Sequence, residues 1–185
     1  METNYKNHTI EIEQDEDSMN PRIDCDNLGT MICFHNRYDL GDRKHGYNKN
    51  NYSNWKDLKS DIVKKEKPAI VLPLYLYDHS GITISTKPFS CPWDSGQIGF
   101  IFISKEKALS EYGGKIVTKK LKEKLEKYLI SEVKVYDKYL TGEVYRFTIF
   151  DNEGKQIDSC GSYFESEDYV RQEAENIVDS LVNSK

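Results

Sequence analysis

The spacing of apolar residues changes several times along the chain, and each change predicts an element. Ile10 and Ile12 alternate with polar neighbours, which predicts a short strand near 8–13. LGTMICF (28–34) reads as a buried strand. Trp55, Leu58 and Ile62 recur at helical spacing. With Ser53 as cap and Pro68 as stop, they predict a helix over about 54–66. AIVLPLYLY (69–77) is the most apolar run and predicts a strand, in which Pro73 demands an edge position, a bulge or a break. A turn at Asp78-His79-Ser80-Gly81 leads into a strand at 82–86. QIGFIFIS (97–104) should place Phe100 and Phe102 on one face and Ile101 and Ile103 on the other.

The second half is more regular. Ser104 caps a short helix that ends at Gly113-Gly114, and Thr118 caps a long one to about residue 140. Leu121, Leu125, Leu129, Val133, Tyr136 and Leu140 form its apolar stripe. Lys119–Glu123, Lys122–Glu126 and Glu123–Lys127 are spaced to pair on its outer face. EVYRFTIF, the turn DNEG and KQIDSCGSYF form the clearest hairpin. A last helix begins at Ser166 and should bury Tyr169, Val170, Ala174, Ile177 and Leu181. Strands, hairpins and three to four helices without regular βαβ alternation predict an α+β fold, a mixed or antiparallel sheet packed on helices. The expected organisation is one domain over 1–185, with an acidic segment at about 1–27 and a polar loop at about 36–53.

Composition adds little to the fold and more to the chemistry. With 37% hydrophobic and 31% charged residues, the 185-residue chain is polar without reading as disordered. No apolar run reaches the roughly 20 residues of a membrane span. METNYKNHTIEIEQ lacks the basic-then-apolar pattern of a signal peptide, so a cytoplasmic protein is expected. The four cysteines include no C-x-x-C pair and are expected to be reduced. Charge is uneven. Residues 1–30 hold eight acids and two bases, and residues 43–67 hold eight bases and three acids. An acidic head suits a basic groove and a basic stretch suits phosphates, whereas ordinary solvated faces need neither partner.

Four constellations carry possible chemistry. Cys91 as nucleophile, His79 as base and Asp94 or Asp78 as orienter lie in turns that a short strand brings close. Against them stands a small buried cysteine beside a turn. Cys33 and His35, with His79 and Cys91, supply four zinc-type donors but no tight ligand pair, so neither metal nor cofactor is expected. The acids Glu11, Glu13, Asp15, Glu16, Asp17, Asp24 and Asp26 form a candidate partner-binding surface. Their loop lacks the glycine and glutamate that a calcium loop requires. Arg43, Lys44, Tyr47, Lys49 and Trp55 interleave bases with rings, as single-stranded nucleic acid binding requires, although the overall acidity opposes it.

The blocks DNLGTMICFHNRYDLGD (26–42) and LPLYLYDHSGITISTKPFSCPWDSGQIGFIFISKEKALSEYG (72–113) resemble a family of uncharacterised bacteriophage and mobile-element proteins. The hairpin and helix from about 139 to 178 look similar too. The Asn, Lys and Tyr content resembles that of AT-rich Firmicutes phages and plasmids. Small accessory proteins of such elements include inhibitors of host defence, among them anti-CRISPR proteins acting on RNA-guided nucleases. The resemblance therefore implies a binding protein that works in a bacterial host cell and inhibits a host defence enzyme by occupying its nucleic-acid groove. A small Cys/His-dependent hydrolase or transferase built on the 78–96 loops is the first alternative. A single-strand binder is the second.

Overall fold

A computed structural model describes residues 1–183. The fold is α+β, with four α-helices and two antiparallel four-stranded sheets among the described residues. Among the described residues no helix is long and apolar enough to cross a membrane. Contacts gather the chain into two compact units, Met1–Met19 with Thr141–Lys185 and Asn20–Leu140.

The first unit joins the two ends of the chain. Its sheet runs β1 (Glu2–Tyr5), β2 (His8–Gln14), β7 (Tyr145–Phe150), β8 (Gln156–Tyr163), and α4 (Glu167–Asn183) packs against β2 and β7. Ile10 and Ile12 face inward with Phe147 and Ile149, and their alternation with exposed Glu11 and Glu13 marks β2 as half-buried. β1 escapes sequence reading because ETNY has no apolar alternation. Backbone pairing to β2 alone defines it. In α4 the buried stripe is Val170, Ala174 and Val178, spaced i, i+4, i+8. Tyr169 and Leu181, expected inside, are exposed, because a narrow sheet covers only a narrow helical stripe.

The second unit is a three-layer arrangement. Its sheet order is β3 (Thr30–Cys33), β6 (Ser95–Ser104), β4 (Pro68–Asp78), β5 (Ile82–Ser85). Ile101 and Ile103 of β6 pack towards α2 (Lys105–Tyr112) and α3 (Lys119–Thr141). Phe100 and Phe102, on the opposite face, pack with Leu58 and Ile62 of α1 (Trp55–Glu66). The two-faced reading of 97–104 is therefore met. Pro73 pairs only towards β6, since β5 reaches no further than Tyr75, and a register irregularity follows at Leu74/Tyr75. Gly99 permits a close approach of β6 to β3. A Cβ there would lie 1.8 Å from the Ile32 carbonyl oxygen.

Local signals are mostly in place. Ser104 and Thr118 accept from the backbone N–H groups of Lys107 and Leu121. The cap of α1 is Asn54 rather than Ser53. Its Oδ1 accepts from the N–H groups of Lys56 and Asp57. The three lysine–glutamate pairs expected on α3 do not appear among the ion pairs of the described residues, and Lys124 instead lies over the Tyr112 ring at 4.3 Å.

Within the second unit, Arg22 is buried and fully matched. Its guanidinium donates to Asp42, Asn27, Glu132 and the Gly29 carbonyl. Glu132 also accepts from the N–H groups of Leu28 and Gly29, so one buried cation ties the 20–29 segment to α3.

Candidate functional site

The loops at the end of β4 and before β6 do come together. The Asp78 N–H donates to the Asp94 carbonyl at 2.8 Å, which joins the 78–81 turn to the 86–94 loop. Ser80 and Gly81 take positive φ to close that turn. Asp94 Oδ2 then lies 3.4 Å from His79 Nδ1 and 3.5 Å from Cys91 Sγ. A thiol nucleophile needs the imidazole against sulfur and the carboxylate behind the imidazole. Here the carboxylate stands between the other two. Asp78 is directed elsewhere, to an ion pair with Arg37 and a 3.4 Å contact with the Tyr38 hydroxyl.

Beside this group the second unit holds a cleft of about 440 Å³, within the range of small-ligand sites. Asp78 and Asp94 form part of its wall; Cys91 and His79 do not. Phe34 and Trp55 line it with near-parallel rings, 6.4 Å apart and inclined by 17°. Trp55 in turn meets Phe100 edge-on, so this aromatic wall is backed by the core around α1. His35, Arg37 and Lys49 add nitrogen donors, and Trp93 stands at the cleft 91% exposed. The signal for Trp93 in the sequence was an aromatic set among Pro92, Asp94, Ser95 and Gly96. Arg37 gave no signal beyond its charge.

The residues expected to bind single strands divide. Lys49 and Trp55 line the cleft. Tyr47 donates to Glu66 at 2.8 Å, and burial together with that carboxylate pushes its hydroxyl pKa up. Arg43 pairs loosely with Asp39 at 3.7 Å, and Lys44 is exposed. His45 packs against Phe34 at 5.9 Å, and burial lowers its pKa.

The zinc-type donors do not converge. Cys33 is buried in the main core, where desolvation pushes its thiol up, while His35 stacks on Tyr38 at 5.0 Å and lines the cleft. The strand ends at Cys33, so the i, i+2 rule does not carry through to His35. Among the described residues, no group of three acidic, cysteine or histidine side chains is placed to hold a metal ion. All four cysteines are free thiols.

The candidate acidic residues fall in both units. Asp24 and Asp26 belong to the second, where Asp24 accepts from the Asn20 N–H at 2.8 Å. The other five belong to the first. Glu13 pairs with Arg146 at 2.6 Å. Asp15 has a structural part. Its Oδ2 accepts from the Ser162 N–H at 2.7 Å, at a bulge in β8 where Ser162 takes φ +59. Glu11, Glu16 and Asp17 are exposed. Glu11 sits directly opposite Glu2 across β1 and β2, a like-charge pair.

Charge separates sharply between the units. In sequence, the first holds five Lys and Arg (Lys6, Arg146, Lys155, Arg171, Lys185) against sixteen Asp and Glu, a net charge of −11. The second holds 21 Lys and Arg against 15 Asp and Glu, a net charge of +6. Reading the first 30 residues alone missed half of this, because Asp151, Asp158, Glu165 and Asp168, among others, reach the acidic unit from the other end of the chain. Compared with known proteins, the chain matches no family model, no curated protein and no solved structure.

Proposed function

We propose that this chain is an accessory protein of a phage or mobile element that binds and inhibits a host defence enzyme. Its acidic unit would occupy the basic groove in which that enzyme holds nucleic acid. An RNA-guided nuclease is the target class whose channel best fits. The observation that carries the reading is the net charge of −11 gathered in one compact unit of the fold. The Glu2–Glu11 pair supports it. Two carboxylates held opposite one another cost stability, and a cationic partner would offset that cost.

The test uses the intact chain and a purified RNA-guided nuclease of a Firmicutes host. The chain should compete with nucleic acid for the nuclease, with affinity falling steeply as salt rises. Charge reversal at Glu2, Glu11, Glu16 and Asp17 should abolish inhibition. Undiminished inhibition after reversal removes the electrostatic reading.

One observation favours a second reading: Cys91 Sγ and His79 Nδ1 each lie within 3.5 Å of the Asp94 carboxylate. They would serve a small Cys/His-dependent hydrolase or transferase once the imidazole turned to the thiol. Alkylation of Cys91 across pH is the check. An inflection near the ordinary thiol value of about 8.5, with slow reaction at neutral pH, rules it out.

A further inference from the structure

The cleft of the basic unit has a composition that the inhibitor reading does not use. Its apolar wall is anchored in the core, because Trp55 meets the buried Phe100 edge-on and Phe34 stacks on Trp55. Trp93 lies at its edge with 91% of its surface in water. An indole left that open gains almost nothing from the core and offers a full π-face to a ligand.

The polar groups account for themselves one by one. The Arg37 guanidinium is matched by Asp78. Asp94 faces His79 and Cys91. His35 Nδ1 accepts from the Arg37 N–H at 3.3 Å, which places the proton of the neutral ring on Nε2 as a donor. Lys49 donates to the Asn36 side-chain oxygen at 2.8 Å and, among the described residues, pairs with no carboxylate. The cleft therefore offers aromatic faces and an imidazole N–H donor; its four charged side chains sum to zero, but Arg37 is spent on Asp78 while Lys49 is left without a carboxylate, on a unit whose net charge of +6 draws anions in.

We infer that this cleft binds a nucleotide, with the base stacked on Trp93 and the phosphate held by Lys49 and His35. With Lys49 the one lining cation free of a carboxylate and Asp94 in the same wall, the single charge of a phosphodiester is better accommodated than the higher charge of a terminal phosphate, so a residue within a single strand fits better than a free nucleotide. Base stacking on an exposed ring is tolerant of sequence, and little base discrimination is expected.

Fluorescence polarisation of a labelled oligothymidylate, with thymidine monophosphate as competitor, tests this on the intact chain at low salt. The expected result is saturable strand binding, weakened about tenfold by Trp93→Ala and similarly by Lys49→Gln. Both side chains are exposed, so far-ultraviolet circular dichroism should be unchanged in each variant. Competition by the monophosphate at matching concentrations assigns the site to free nucleotides instead of strands. Binding that survives both substitutions places the anion on other lysines of the unit and overturns the inference. Absence of binding by either probe overturns it equally.

Discussion

The two units treat charge in opposite ways. In the basic unit, the one buried cation, Arg22, meets two carboxylates, an amide oxygen and a carbonyl, and its interactions hold loop to helix. In the acidic unit, carboxylates outnumber bases sixteen to five, and two of them face each other across paired strands. Charge matched inside a fold specifies structure and is costly to disturb. Charge left unmatched on a surface weakens the fold slightly and remains available to a partner. Substitutions should therefore be severe where charge or close approach is internal, and mild or even stabilising where it faces out.

The largest effect is expected from Gly99→Val. Its Cβ would enter the Ile32 carbonyl, so β3 and β6 must separate. A loss of at least about 4 kcal/mol, with hydrogen-exchange protection falling in β3, β4 and β6, is the expected outcome. Arg22→Met leaves Asp42 and Glu132 without their cation, and chemical denaturation should report a loss of about 3–5 kcal/mol. A loss below 1 kcal/mol would break the contrast between internal and surface charge.

In the acidic unit, Asp15→Ala removes the acceptor for the Ser162 N–H at the β8 bulge. The expected cost is about 1–2 kcal/mol, with chemical-shift changes centred on Gly161 and Ser162. Asp15 would then be the exception among exposed-loop acids, a structural residue rather than part of a partner surface.

A pH dependence is expected from His45 in the basic unit. Burial lowers its pKa from the ordinary 6.5, so the neutral ring is favoured in the folded state. Its contribution to stability is fully present above pH 6.5 and is lost as pH falls through the lowered folded value. Thermal unfolding scans should show a decline across that window, and His45→Phe should flatten it. An equal decline in the variant would assign the effect to carboxylates.

The smallest effect has the most telling sign. Glu11→Lys turns the Glu2–Glu11 repulsion into attraction and should stabilise the acidic unit by about 0.5 kcal/mol, while partner binding weakens. A destabilised variant would show that the open face of this sheet depends on its carboxylates for structure.

Much of the local structure was legible because it depends on near neighbours. Ser104 and Thr118 cap the helices they were expected to cap, and the 145–163 hairpin pairs across its turn. Alternation in 97–104 assigned the phenylalanines and isoleucines to opposite faces correctly. Pro73 was readable as an irregularity because proline lacks an N–H wherever it stands. Errors arose where packing partners decided the outcome. Tyr169 and Leu181 fit a helical stripe by spacing, yet only the centre of that stripe meets the sheet. The site was half legible. Residue types in the 78–96 turns marked the region, but the order thiol, carboxylate, imidazole is a matter of loop geometry that no spacing encodes.

By itself, then, the sequence determined the α+β class, most element boundaries and the uneven charge, because period, capping chemistry and ionisation are local properties of the residues. Tertiary structure alone decided that strands from both ends of the chain share one sheet, and that its carboxylates thereby gather at −11 in one unit. It also decided that Trp93 borders one cleft with Arg37, Lys49 and Trp55, which lie about 40 to 60 residues earlier in the chain. Both outcomes depend on strand pairing and core burial between distant segments, whose free energy is collected only when the chain closes on itself.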